Sequence, residues 1–287
     1  MMTPVLMGAA CEKKKANSDT GAGSALDRAS GVGTVDTTPI QGFDLKLDAE
    51  KAQTFYRLVG SFESPCRNHS LRASFTKDPD CKRARFALRY LQAMVEDELT
   101  EDKIGEWYRA KYLVTDTTKV DVSKAPHHGP EDAPIRLVEF FDYECPACQG
   151  AKPNLDKVLA KYEGKVVIYY MMYPLERLHP GSKSAAMAAV AAQQMGKFHE
   201  MHEMLFAQKS HDRSEVLAYA QQIGLDMAKF EPLYTAAAAQ VVADQKQGET
   251  AGVKSTPTLY FNDRAYEAPI NPRYLSLWIE EELAVNR

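Results

Sequence analysis

The spacing of apolar residues changes period several times along the chain, and each change marks an element. Ile135-Arg136-Leu137-Val138-Glu139-Phe140-Phe141 is a short β-branched and aromatic run, as a buried strand requires. The next run, Gln149 to Tyr162, carries Leu155, Val158, Leu159 and Tyr162 at helical spacing. Lys165 to Tyr173 reads as a second buried strand, and Pro174 to about Gln247 as helical, with an alanine-rich stretch from Ser182 to Met195 and a later helix capped at Asp226. Strands are predicted again at Thr258 to Phe261 and around Ala265 to Glu267. Asn271 as cap and Pro272 in the first turn then open a closing helix. The order strand-helix-strand, long helical segment, strand-strand-helix predicts an α/β fold over about residues 133–287, with a helical insertion at about 175–247.

Ahead of it the periodicity is helical throughout. Asp48 caps a predicted helix through about Val59, with Ala49, Ala52, Phe55 and Leu58 roughly on one face. A second runs from about Cys81 to Glu98, with Phe86, Leu88, Tyr90, Leu91, Met94 and Val95 as its apolar positions. A third, Thr100 to Tyr112, buries Ile104, Trp107, Tyr108 and Tyr112. This predicts a small helical domain over 41–115, joined to the α/β part by a Pro- and Gly-containing linker over 116–132. Three helices make a small core, and a staple would help. Cys66 and Cys81 flank a polar loop, Arg67 to Asp80, and a disulfide there would close about fifteen residues. A second redox pair exchanging electrons with other cysteines is the alternative reading.

The candidate chemistry sits where the first strand hands over to its helix, at Cys145-Pro146-Ala147-Cys148. A Cys-x-x-Cys at a helix start places its first sulfur beside unpaired backbone N–H groups and the positive end of the helix dipole, which favours a nucleophilic thiolate. Half a zinc site has the same spacing. The other cysteines, Cys11, Cys66 and Cys81, supply no second pair, and His199-Glu200-Met201-His202-Glu203 spaces its histidines by three rather than four, so no metal is expected. His199 and His202 read as packing or surface residues of a helix, and His127 and His128 as solvated linker residues.

Glu139 is a lone acid in an apolar strand, six residues before Cys145. Burial of an unpartnered carboxyl is costly, and such a group near a dithiol could accept or relay the proton of Cys148; a Glu facing out at a strand edge is the alternative. Pro153 falls where it would kink the helix. Pro257, in Lys254-Ser255-Thr256-Pro257-Thr258, precedes another strand; in cis it could present the Thr256 backbone to an extended substrate.

The stretch from about Ala133 to Ala284 resembles the DsbA-like branch of the thioredoxin superfamily, through Val138-Glu139-Phe140-Phe141-Asp142-Tyr143-Glu144-Cys145-Pro146-Ala147-Cys148, Pro153, Gly196-Lys197-Phe198-His199-Glu200-Met201-His202 and Gly252-Val253-Lys254-Ser255-Thr256-Pro257-Thr258. The resemblance implies a thioredoxin fold with a helical insertion, a nucleophilic Cys145, a resolving Cys148, a cis Pro257 and an acidic Glu139. It departs from the family's strong oxidants at Ala147, where they carry a histidine, and Thr256 before the proline also occurs in relatives assigned to isomerase or reductase work. The implied activity is thiol–disulfide exchange on protein substrates through a mixed disulfide, without a cofactor. A reductase or isomerase of the same fold, and a binding module that has lost turnover, are the alternatives.

Composition bears mainly on compartment. A net charge of −4 argues against a nucleic-acid partner. No apolar run approaches the roughly 18 residues that cross a bilayer. Pro4-Val5-Leu6-Met7-Gly8-Ala9-Ala10-Cys11 resembles the end of a bacterial lipoprotein signal, with Cys11 as the lipidated residue, although Gly8 stands where a leucine is usual and no basic residue precedes it. Glu12 to about Thr38 is polar and small-residue-rich and reads as a tether, so that 1–40 would be signal remnant, anchor and spacer. The expectation is a cell-envelope or periplasmic protein, held at the membrane by lipid and served there by a membrane redox partner.

Overall fold

The computed structural model describes residues 35–67 and 69–285. Cys11 and nearly all of the expected tether lie outside them. Four helices come first: α1 (Ala49–Ser61), α2 (Leu71–Lys77), α3 (Arg83–Glu96) and α4 (Glu101–Tyr112). Their starts follow from capping chemistry. Asp48 accepts from the Lys51 N–H, Ser70 from Ala73 and Thr100 from Lys103, each satisfying a first-turn donor that the helix cannot. Helix α2 corrects the reading of 67–80 as an irregular loop: Leu71 and Ser74 are buried on one side, and Phe75 packs against the core. Cys66 and Cys81 are joined by a disulfide across this segment.

The linker contributes β1 (His127–His128), which pairs antiparallel with β3 (Val166–Met172). His127 is therefore half-buried in a sheet, not solvated in a linker, while His128 is exposed. Strand β2 (Ile135–Phe141) pairs parallel with β3, and α5 (Pro146–Lys161) is the crossover between them. Strands β4 (Thr258–Phe261) and β5 (Arg264–Tyr266) complete the order β1-β3-β2-β4-β5, with β4 antiparallel to β2. The insertion holds five helices, α6 (Ser182–Gln194), α7 (Phe198–Ala207), α8 (Arg213–Gln222), α9 (Met227–Ala236) and α10 (Ala238–Ala251). Gly252, at φ 89°, closes α10 in the left-handed conformation that glycine adopts without strain and turns the chain toward β4. Helix α11 (Pro272–Val285) follows, its first turn capped by Asn271, which accepts from Tyr274 N–H at 3.0 Å.

Residues of the N-terminal helices and of the α/β segment belong to one continuous core, because α11 packs against α3 on one side and α5 on the other. From Val35 on the chain forms one compact unit, so no gap separates two cores at 116–132. Charge reinforces the junction. Lys111 of α4, with 1% of its side chain exposed, lies 2.8 Å from Glu281 Oε2 of α11, a charge contact rather than a directed hydrogen bond, and 4.1 Å from the centre of the Trp278 ring. Arg83 reaches both Glu281 and Glu282 at 2.8 Å, and Arg264 reaches Glu282 at 3.0 Å. Burial pulls the Lys111 ammonium below its ordinary range while Glu281 pulls the other way.

Candidate active site

Strand β2 sets the geometry by its alternation. Leu137 and Phe141 join the core that contains Cys145 and Cys148, whereas Val138 and Phe140 join a smaller cluster of buried residues. With a period of two, Glu139 falls on the Leu137 and Phe141 face, toward α5 and the cysteines. It is on a central strand, in register with Tyr170 of β3 and Leu259 of β4, and only 4% exposed, so it does not look out from a strand edge. Its carboxyl makes no hydrogen bond among the described residues. Burial, with the Asp156 charge adding and the Lys152 ammonium opposing, pushes its pKa up to about 8.

After Phe141 the chain turns through Asp142-Tyr143-Glu144, and Cys145 becomes the N-cap of α5 with Pro146 at the first helical position, where a missing N–H costs nothing. Pro146 and Ala147 are exposed, Cys145 is 7% exposed and Cys148 fully buried one turn in. Both thiols are free. Cys145 Sγ lies 3.4 Å from the Thr256 carbonyl oxygen, and the Asp142 N–H points at Cys148 Sγ at 3.5 Å. The Thr256–Pro257 peptide is cis. Burial pushes the Cys148 thiol far up, and the nearby Glu139 adds to it. The two sulfurs are thus unequal: one at a helix start near the surface, one in an apolar interior beside an acid. Pro153 sits inside α5, which continues past it to Lys161.

The structure brings Cys145, Cys148, Glu139 and Thr256 together. It places the Cys66–Cys81 disulfide elsewhere, on the helical segment, where Cys81 Sγ contacts Ser64 Oγ at 3.6 Å. Among the described residues no cluster of His, Cys, Asp and Glu could hold a metal ion. Four further residues meet at the site that sequence reading gave no role. Asp142 accepts from the Leu175 N–H at 2.8 Å and lies 2.8 Å from His179 Nδ1; Glu144 accepts from the Gly181 N–H at 2.9 Å and lies 3.0 Å from His211 Nδ1. The only signal in the sequence was the pair of acids before Cys145, and nothing in the spacing pointed to partners 37 and 67 residues away. Tyr143 completes the attachment: its hydroxyl is hydrogen-bonded to His202 Nδ1 at 3.0 Å, and burial holds that imidazole's pKa well below its ordinary value. Phe141, Tyr170, Phe198 and Phe206 pack around the His202 ring.

Similar proteins fall into two groups. Among solved structures, a thioredoxin-like oxidoreductase from Silicibacter pomeroyi DSS-3 is 26% identical, with a TM-score of 0.50, over 57% of this chain and 92% of that one. The structure of oxidised BdbD from Bacillus subtilis matches at a TM-score of 0.52 and 24% identity over 58% of this chain and 97% of the other, a likeness of fold. Among curated proteins, "Na(+)/H(+) antiporter NhaA 3" of Salinispora tropica is 32% identical over 171 residues, and "Na(+)/H(+) antiporter NhaA 1" of Mycobacterium sp. (strain KMS) is 36% identical over 155 residues. The chain spans about a quarter of the length of these curated relatives, 26% and 25% respectively. No helix of the described residues is long and apolar enough to cross a membrane. The family profile described as thioredoxin matches residues 121–281, more than half of the chain and all of the site described above, and the chain belongs to the thioredoxin family.

Proposed function

We propose that the chain is an extracytoplasmic protein thiol–disulfide oxidoreductase of the DsbA-like kind, which oxidises substrate thiols. The inequality of the two cysteines carries this reading. In the oxidised enzyme a substrate thiolate attacks Cys145 Sγ, the reachable sulfur; the Cys145–Cys148 bond breaks and its electron pair leaves with Cys148. The Cys148 sulfur cannot stay charged in its buried setting, so it takes a proton. Glu139, largely protonated at neutral pH with a pKa of about 8, is placed to supply it. A second substrate thiolate then attacks the substrate sulfur of the mixed disulfide and releases Cys145. Substrate has lost two electrons and the enzyme has gained them as a dithiol. The Thr256 carbonyl beside Cys145 Sγ offers an acceptor to the backbone of an extended substrate.

The Cys66–Cys81 disulfide supports an oxidising compartment. Lipidation at Cys11 and reoxidation by a membrane partner are part of the same proposal, resting on the signal-like run that ends at Cys11. Ala147, which offers Cys145 no donor, favours a milder oxidant and leaves reductase or isomerase work as the second reading. The test is trapping. With Cys148→Ser, substrate mixed disulfides through Cys145 should accumulate under oxidising turnover; recovery of none would leave only a binding module.

A further inference from the structure

Asp142 and Glu144 lie three residues and one residue before the nucleophile, and the exchange chemistry uses neither. Both carboxylates turn toward the helical insertion. Asp142 Oδ1 accepts from the Glu144 N–H at 2.8 Å, and its Oδ2 takes the Leu175 N–H and faces His179. Glu144 Oε2 accepts from Gly181, and the approach is so close that a Cβ on residue 181 would overlap Glu144 Oε1. On the far side of Oε1 stands His211, whose side chain is 0% exposed. The other ring nitrogen of His211, Nε2, lies 2.8 Å from the Leu205 carbonyl oxygen. A carbonyl only accepts, so Nε2 carries a hydrogen. Nδ1 and Glu144 Oε1 then share one proton. Whether that proton sits on nitrogen or on oxygen, the pair has no net charge. Without it, a carboxylate only 17% exposed would stand unpaired one residue from the sulfur that has to become negative.

We propose that His211 is a positioning residue for thiol–disulfide exchange: together with Gly181 it holds Glu144 as a charge-neutral pair, so that the acid beside Cys145 ties the nucleophile loop to the helical insertion without repelling the thiolate. This rests on the reading of Cys145 as the nucleophile. The other groups around the thiols are Glu139 on β2, near Cys148, and the Thr256 carbonyl at Cys145; neither touches Glu144 or His211.

The experiment is the pH profile of Cys145 alkylation by iodoacetamide in the full reduced chain, with thermal unfolding of every variant followed alongside. His211→Gln removes the group that neutralises Glu144, and should move the midpoint of the profile up by about half a unit or more. Gly181→Ala, whose Cβ would overlap the Glu144 carboxylate and also press on His211 Cβ at 3.0 Å, forces the pair apart without removing either partner and should move it the same way. The double variant Glu144→Gln/His211→Gln, lacking the charge, should return the midpoint to that of the natural protein even where its unfolding temperature stays low. A merely structural role predicts lowered unfolding temperatures with an unmoved midpoint. That outcome in both single variants overturns the proposal, as does a double variant shifted as far as His211→Gln. Failure of the enzymatic reading looks different: Cys148→Ser protein that traps no substrate although its Cys145 still alkylates with the expected profile.

Discussion

Replacing Glu139 with Gln should stabilise the reduced protein, increasingly so as pH rises. In the unfolded chain the carboxyl titrates near 4.5, whereas in the fold burial holds its pKa at about 8. Between those values the folded state keeps a proton that the unfolded state has released. Stability therefore falls as pH climbs through that window, the reverse of a salt-bridged acid. Integrating the difference, the penalty is about 1 kcal/mol at pH 5, about 3 kcal/mol at pH 7 and about 4 kcal/mol at pH 8. Glu139 is 4% exposed, so solvent screening scarcely reduces these figures. The amide of Gln carries its own burial cost, but that cost does not vary with pH and cancels when two pH values are compared. Urea unfolding of both proteins in their dithiol forms, from pH 5 to pH 8, should show the variant gaining about 3 kcal/mol on the natural protein across the range. A difference that stays flat with pH, or one in which the natural protein gains on the variant, would refute the assignment of Glu139 as a protonated buried acid. The same variant should slow exchange at and below neutral pH, where the natural Glu139 still holds the proton that Cys148 takes, and the difference should fade as pH rises past about 8.

Further outcomes follow from the same geometry. Glu281→Gln leaves the Lys111 ammonium buried without its counter-charge and should cost about 3–5 kcal/mol in unfolding free energy, read by urea denaturation. Cys66→Ser opens a link between residues 15 apart in sequence and should cost about 3 kcal/mol by the same assay, while leaving the alkylation of Cys145 unchanged. Equilibration of the Cys145–Cys148 pair with glutathione should give a potential above roughly −270 mV and below roughly −120 mV, the values of thioredoxin and of a strong oxidant; a result at or below the first figure means a reductase.

Where function depends on neighbours in sequence, the chain was readable. The strand ending at Phe141, the helix starting at Pro146, the caps at Asp48, Thr100 and Asn271 and the strand from Thr258 all follow from local periodicity and capping chemistry. So did the oddity of Glu139, because a charge in an apolar run is visible without a fold. Helix α2 was hidden because its seven residues carry few apolar positions, too few to register a period. Strand β1 was hidden for a different reason: two histidines become a strand only by pairing with Ile168 and Tyr169, which no local pattern records. The partners of Asp142 and Glu144 come from the insertion, and the partner of Lys111 lies 170 residues downstream, so the site's electrostatics had to wait for the tertiary structure. The change of period marks a helical and an α/β part, yet the chain packs both parts around α11 in one continuous core.

That last helix has a bearing on how the protein is made. The N-terminal helices are complete in sequence by Tyr112, but Lys111 and Arg83 meet their carboxylates only when residues 281 and 282 arrive. A nascent chain halfway through synthesis carries those cations with nowhere favourable to bury them. Final packing of helices α1 to α4 therefore waits for the last few dozen residues, and a chain cut short before α11 exposes the apolar faces of α3 and α4 to proteolysis.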